Sequence, residues 1–216
     1  MNIEKIVLLT DKLEKQRDFY GNILELPVET FENHIIVKTG KSEVVFKRST
    51  TPAYYHFAFN IPSNQINEAL EWVEERAEIL SNRGKKIVDF KAWEAQAVYF
   101  HDPAGNVVEL IARQPAKIES DQVFTADSLK YISEIGVAVR NVKYHFDHLN
   151  LRHNVPFYSG NTRDFCAAGD AEGLFILVLA NSKYWLPTEL KAEQFPLKAY
   201  FKTTGGLKEY KYEGES

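Results

Sequence analysis

Residues 98–111 read Val-Tyr-Phe-His-Asp-Pro-Ala-Gly-Asn-Val-Val-Glu-Leu-Ile, and they are the most informative stretch of this sequence. An aromatic run of strand length comes first, the proline and glycine of a tight turn follow at 102–106, and a second apolar run completes the stretch. This pattern predicts a β-hairpin with strands at 97–100 and 107–112. One carboxylate, Glu109, interrupts the second apolar run.

The hairpin closes a longer unit with the order β-α-β-β-β. A strand-length run at 54–61, a helix start signal at Pro62 and a further strand at 87–90 precede it. The same order of elements is predicted for residues 1–50. The sequence therefore predicts two copies of one module, module 1 over about residues 1–50 and module 2 over about residues 51–113.

The rest of the chain predicts a third copy and the beginning of a fourth. Residues 114–130 form a polar connector, and residues 131–203 contain a third, shortened β-α-β-β-β module together with one strand of a partial fourth, at 197–202. Residues 204–216 are predicted to be a polar tail. The expected fold class is α+β, built from tandem βαβββ modules.

Composition excludes several classes of protein. The 216 residues include 30 acidic and 26 basic side chains without a basic run, which argues against a nucleic-acid partner. Cys166 is the only cysteine, so an intramolecular disulfide is excluded. No apolar stretch approaches the ~20 residues that span a bilayer, and the first residues lack the apolar core of a signal peptide. We expect a cytoplasmic protein without a membrane partner.

The stretch 98–111, with Lys-Ile-Val-Leu-Leu-Thr-Asp-Lys-Leu-Glu at 5–14 and Phe-Tyr at 19–20, resembles the vicinal oxygen chelate superfamily. That superfamily includes glyoxalase I, bleomycin-resistance proteins and extradiol ring-cleaving dioxygenases. The resemblance covers residues 1–113 and, more loosely, 131–180. It implies that two modules, expected here to be modules 1 and 2, pair into a cup. A divalent metal on the concave side would be held by the first and last strands.

The resemblance also implies which residues stand at the metal-ligand positions. They are Lys5 and Val45 in module 1, with Phe46 in place of Val45 if the alignment shifts by one residue, and His56 and Glu109 in module 2. Only His56 and Glu109 can bind a metal, and a catalytic metal usually takes at least three protein ligands. A divalent Fe, Mn, Ni, Zn or Co ion is therefore implied by the family but not assured. Without a metal, Lys5 would pair with Glu109 and supply the positive charge, which makes Lys5, His56 and Glu109 the predicted catalytic residues.

The sequence also provides arguments from the residues themselves. Alternation along its strand directs His56 into the cup, and a carboxylate such as Glu109 in an apolar strand is costly to bury without a partner. Glu134 occupies the corresponding position in the third module. Because that module is expected to build a different cup, we interpret Glu134 as structural or vestigial.

Three functions follow from the resemblance. The first is a glyoxalase- or dioxygenase-like enzyme, of the metal-dependent lyase or ring-cleaving type, that acts on a small oxygenated or aromatic metabolite. The alternative is a metal-free small-molecule-binding protein of the bleomycin-resistance type, which the loss of two ligand positions favours. A third is a scaffold that interacts through the third module. The unpaired third module either packs on the outside of the first pair or is covered in a homodimer, and we expect the homodimer.

Overall fold

The structure is a computed structural model that describes residues 1–214, in which fourteen strands form one continuous sheet. Module 1 contains β1 (Asn2–Thr10), α1 (Leu13–Asp18), β2 (Val28–Thr30), β3 (His34–Thr39) and β4 (Ser42–Arg48). Module 2 contains β5 (His56–Ile61), α2 (Ile66–Glu74), β6 (Val88–Phe90), β7 (Ala95–His101) and β8 (Val107–Arg113). Module 3 contains β9 (Tyr131–Val139), α3 (Val142–His153), β10 (Phe157–Gly160), β11 (Phe165–Asp170) and β12 (Gly173–Leu179). The partial fourth module contains β13 (Leu197–Thr203) and β14 (Gly206–Tyr212), so the predicted α+β class with repeated βαβββ modules is confirmed.

The central strands are buried on both faces, which explains their apolar sequences. β5, β8 and β9 are buried along their whole length. On one face, Phe57 and Phe59 of β5 join the large core that includes Ile66 of α2. On the opposite face, Ala58 joins a smaller cluster with Tyr99. Along residues 1–214, no helix has the length and apolarity that crossing a bilayer requires.

The pairing of the modules differs from the prediction. β5 of module 2 lies antiparallel to β9 of module 3, with Ala58 opposite Glu134. β1 of module 1 instead pairs with β13 of the fourth module and meets β9 only where Ile3 faces Ile132. The prediction that modules 1 and 2 form the cup is therefore wrong, because β13 takes the edge of β1 and leaves β5 to pair with β9. Modules 2 and 3 build the cup.

This pairing also bears on the predicted homodimer. That prediction rested on a third module without an internal partner, and module 3 has its partner in module 2. The argument from an uncovered third module therefore no longer applies. The oligomeric state stays a prediction.

The C-terminal segment is more ordered than the predicted polar tail. β14 pairs antiparallel with β13 along its length, and Tyr210 and Tyr212 of β14 are buried. Charged side chains alternate with these tyrosines, so the segment forms a strand with one buried face rather than a tail. The prediction of a tail is wrong for β14, and residues 215–216 lie outside the described residues.

The turn at 102–106 has a structural role. Asp102 is buried and accepts hydrogen bonds from Gln16 Nε2 at 2.6 Å, Tyr20 Oη at 2.9 Å and Asn106 Nδ2 at 2.7 Å. Burial raises the pKa of Asp102, and these hydrogen bonds partly oppose that rise. The aspartate of the motif thus joins module 2 to the first helical segment of module 1.

Candidate metal-binding site

Three ionisable side chains meet on the concave face of the cup that modules 2 and 3 form. His56 Nε2 lies 3.5 Å from Glu109 Oε2 and 3.6 Å from Glu134 Oε2. The potential ligand atoms of the three residues all lie within 4.8 Å of one another. Their exposed fractions are 6%, 2% and 3%, so the whole group is shielded from solvent.

The strand register brings these side chains together. Glu109 lies opposite Ala58 in the parallel β5–β8 pair, and Glu134 lies opposite the same alanine in the antiparallel β5–β9 pair. Residues opposite one another on neighbouring strands point to the same face, and His56 is two residues before Ala58 on that face. The alanine contributes only a methyl group between the two carboxylates, which leaves room for a shared ligand.

The internal repeat relates the positions of the site to one another. The sequence repeat makes Glu134 on β9 the module 3 counterpart of His56 on β5. With that alignment, the register of β9 with β12 makes Ile176 the counterpart of Glu109 on β8. Three of these four equivalent positions therefore carry side chains that can bind a metal, and the fourth is apolar.

Lys5 does not belong to this group. Its ammonium lies 3.0 Å from a Glu43 carboxylate oxygen, its side chain is 39% exposed, and it lines a separate groove together with Val45. The prediction that Lys5 pairs with Glu109 is wrong, because β1 belongs to the half of the sheet that pairs with β13. Neither Lys5 nor Val45 replaces a ligand of the cup. The predicted ligand set was too small because the ligand positions were counted over modules 1 and 2, which do not form the cup.

Each glutamate has a partner of its own. Arg113, which is 1% exposed, forms an ion pair with Glu134 Oε1, so the other carboxylate oxygen faces His56. The Arg113 guanidinium also lies over the Trp93 ring, 5.4 Å from its centroid. Tyr99 is opposite Glu109 on β7, and its hydroxyl opposes the rise in the pKa of that carboxyl.

Sequence reasoning missed Glu134 and Arg113 as members of the site. The repeat did place Glu134 at the position equivalent to His56, but the assumed pairing directed it into another cup. Arg113 lies four residues after Glu109, which is the spacing of side chains on one face of a strand. An arginine at that spacing in a strand predicted to be buried was the sequence feature that could have identified Arg113 as part of the site.

The environment shifts the proton affinities of the group. Burial, together with the charge of Glu134, raises the pKa of Glu109 to about 8, although His56, Arg113 and Tyr99 partly oppose the rise. Burial alone would lower the pKa of His56, but the nearby Glu134 carboxylate and the charges of both glutamates outweigh this effect and raise the pKa. His56 Nδ1 lies 3.1 Å from the Val107 carbonyl oxygen, so Nδ1–H donates there and Nε2 faces the carboxylates.

The metal-free protein should therefore lose stability as the pH rises. Glu109 holds its proton more tightly in the folded chain, where its pKa is about 8, than at its ordinary value of 4.5. Its contribution to stability is complete below the lower value and is lost as the pH rises through the upper one, and His56 acts with the same sign. In urea titrations of EDTA-treated protein, we expect the free energy of unfolding to fall over this range by a few kcal/mol.

The matched variants are Glu109→Gln and Glu43→Gln. The first should remove most of the pH dependence over that range. The second replaces the partner of Lys5 in the other half of the sheet, and this variant should keep the pH dependence. A stability that rises with pH in the metal-free protein would contradict the assignment.

The group lines a cavity of about 260 Å³ whose other walls are mostly aromatic and aliphatic. Trp93, Phe165 and Ile176 are among these walls. Lys183 also lines the cavity, and its ammonium lies 3.0 Å from Asp164. An apolar cavity with a few converging polar groups is typical of a small-molecule site.

The residues of the group fit a divalent metal ion. Ligand atoms around a tetrahedral ion with bonds of about 2.1 Å lie about 3.4 Å apart. The separations of 3.5 Å and 3.6 Å from His56 Nε2 to the two carboxylates are close to that value. One imidazole and two carboxylates form a donor set suited to first-row transition metals, and a cation between the carboxylates would relieve their repulsion.

Neither a family model nor a curated protein matches this sequence. Among solved structures, a protein of Bacillus subtilis strain 168 provisionally assigned as a dioxygenase matches 98% of this chain and 84% of its own, with 14% identity and a TM-score of 0.64. A lactoylglutathione lyase of Agrobacterium tumefaciens, at 19% identity, matches 50% of this chain and 90% of its own with a TM-score of 0.42. A glyoxalase/bleomycin resistance protein/dioxygenase of Nocardioides, also 19% identical, matches 52% and 83% with a TM-score of 0.43. At such identities the first likeness concerns the fold alone, which in this chain is a tandem arrangement of βαβββ modules.

Proposed function

We propose that this chain is a metal-dependent enzyme of the vicinal oxygen chelate type that acts on a small oxygenated or aromatic metabolite in the cup. The observation that carries the proposal is the convergence of two buried carboxylates, Glu109 and Glu134, on one imidazole. Burying two carboxylates side by side is costly unless a cation compensates them. A pocket that only sequesters an apolar compound does not need them.

The chain's own groups prepare the site for a metal and for proton transfer. His56 offers Nε2, because Nδ1 is held by the Val107 carbonyl, and Glu134 offers Oε2, because Arg113 holds Oε1. A divalent metal bound there supplies Lewis-acid stabilisation of negative charge on a substrate oxygen. Glu109 is the third member of the group and, when it is not bound to the ion, is a carboxylate placed to take up and return a proton.

The cavity favours small substrates that are largely apolar. Its aromatic and aliphatic walls exclude water, and interactions between charges are stronger in such surroundings. Lys183 adds one positive charge to the lining. The volume of about 260 Å³ is below that of most drug-sized sites, so we expect a compact metabolite.

A metal-free ligand-binding protein is the second candidate. Arg113 already neutralises one of the two carboxylates, and Ile176 stands at the fourth of the equivalent positions. In that case Arg113 would balance Glu134, and Glu109, whose pKa is about 8, would stay largely protonated near neutral pH. The cavity would then bind its compound through the apolar walls.

Metal analysis separates the two candidates. We expect the purified protein to contain about one equivalent of a divalent metal per chain. After EDTA treatment, at least one of Mn, Fe, Co, Ni and Zn should raise the melting temperature, because an ion that binds the native state alone stabilises it. The loaded protein should then be screened for turnover of small oxygenated and aromatic compounds. A protein that holds no metal and responds to none of these ions would support the binding protein instead.

A further inference from the structure

The segment between β12 and β13 is not part of any βαβββ module, yet it contributes to the cup. Residues 181–192, here called the strap, include four consecutive residues, 183–186, that line the cavity. The strap folds back on itself through backbone hydrogen bonds, from Trp185 N to Leu190 O at 2.9 Å and from Ala192 N to Lys183 O at 2.8 Å. It is therefore a defined structure that closes one side of the cavity.

Trp185 inserts from the strap to a place beside the candidate metal ligands. Its side chain is 4% exposed, and its ring centroid lies 5.4 Å from that of His56. The indole packs directly on the backbone of β9 at Gly136, where an added Cβ would lie 2.6 Å from Trp185 Cη2 and 2.9 Å from Cζ3. Gly136 is in a regular strand, so the indole, rather than the backbone conformation, requires a glycine there.

The indole of Trp185 has an unused hydrogen-bond donor. Nε1 is buried and has no acceptor among the described residues. A buried donor without an acceptor lowers stability, and an apolar side chain at this position would fill space without that penalty. A donor kept here is explained if a ligand in the adjacent cavity provides the acceptor. Because Nε1 has almost no accessible surface in this structure, the indole must shift slightly toward the cavity for that contact.

We propose that Trp185 recognises the ligand of the cup: its indole N–H donates a hydrogen bond to a ligand oxygen, and its ring covers the bound molecule. The chemical class of that ligand, a small planar molecule bearing oxygens, rests on the proposed function. The strap thus determines which ligands bind. Trp185 is a specificity-determining residue, while His56, Glu109 and Glu134 provide the polar end of the cavity.

Binding of tropolone, a planar ring with two adjacent oxygens, tests this proposal. Its dissociation constant should be measured by titration calorimetry with EDTA-treated and with metal-loaded protein. We expect Trp185→Phe, which keeps an aromatic ring but lacks the N–H, to weaken tropolone binding about tenfold, as the loss of one hydrogen bond implies. Its metal affinity should match that of the wild type. Trp72→Phe is the matched control, because Trp72 lies on α2 against Phe124, outside the cup.

The outcomes distinguish this proposal from the proposed function. Equal tropolone affinity in Trp185→Phe and the wild type would overturn the role of Trp185 and leave the metal site intact. Failure of the wild type to bind tropolone in either metal state would also overturn it. Tropolone binding that depends on Trp185 in a protein that takes up no metal would support the recognition role and reject the enzyme.

A second variant checks the seating of the indole independently. Gly136→Ala should displace the Trp185 ring and weaken tropolone binding at least as much as Trp185→Phe does, because the added methyl group overlaps Cη2 and Cζ3. His56 Cβ would lie 3.1 Å from that methyl group, so metal affinity is measured alongside. Unchanged tropolone affinity in Gly136→Ala would contradict the packing of the Trp185 indole on the backbone of β9.

Discussion

Glu134→Gln should abolish the stabilisation that a bound divalent metal gives to this protein. The change keeps the shape of the side chain but replaces one of two anionic ligands with a neutral amide, which binds such ions weakly. A metal at a hundredfold excess over its dissociation constant stabilises the native state by about 2.7 kcal/mol. We expect this gain in the wild type and its loss in the variant, measured by thermal unfolding of EDTA-treated protein with and without the ion.

Glu43→Gln is the matched control for this measurement. Glu43 is the partner of Lys5 in the other half of the sheet, where module 1 was expected to supply ligand positions. The control should keep the full metal-induced stabilisation. If Glu134→Gln keeps it and Glu43→Gln loses it, the metal binds in the half that contains modules 1 and 4, and the site described above is wrong.

Arg113→Met should destabilise the metal-free protein by about 3–5 kcal/mol, the usual cost of removing one partner of a buried ion pair. Arg113 is 1% exposed, and its loss leaves Glu134 buried near Glu109 without a compensating cation other than His56. The free energy of unfolding should be measured by urea titration at neutral pH.

Arg48→Met provides the comparison for Arg113→Met. Arg48 pairs with Glu14 at 2.6 Å, but the two side chains are 43% and 60% exposed. Solvent screens such a pair, so its removal should leave the free energy of unfolding almost unchanged. Equal, small losses in the two arginine variants would show that the buried network around Glu134 contributes little to stability.

The comparison of sequence and structure is most instructive at Glu134. The repeat assigned it a position equivalent to His56, and that assignment agrees with the strand register. Its interpretation as structural or vestigial depended on a different question, namely which module pairs with which. Once β5 pairs with β9, Glu134 lies next to His56 and Glu109. The same pairing separates Lys5 from both.

Trp185 and Arg113 illustrate the same limit in other ways. No repeat or motif identifies the strap, so the sequence offers no reason to place Trp185 beside His56. Arg113 carries the spacing of a residue on the same face as Glu109, but its partner Glu134 belongs to another module. Contacts of this kind join distant parts of the chain, so they cannot be predicted from local sequence patterns.

Local sequence patterns are enough to define the modules, since alternation, helix periodicity and turn residues act over a few residues and are set by local sterics and burial. They also place His56 and Glu109 on one face of module 2. The partner of that module, in contrast, follows from the tertiary structure. β1, β5 and β9 are similar apolar first strands, so their own propensities do not distinguish one partner from another. The choice depends on how the whole set of strands can be paired at once, and β13 completes that set by occupying the edge of β1.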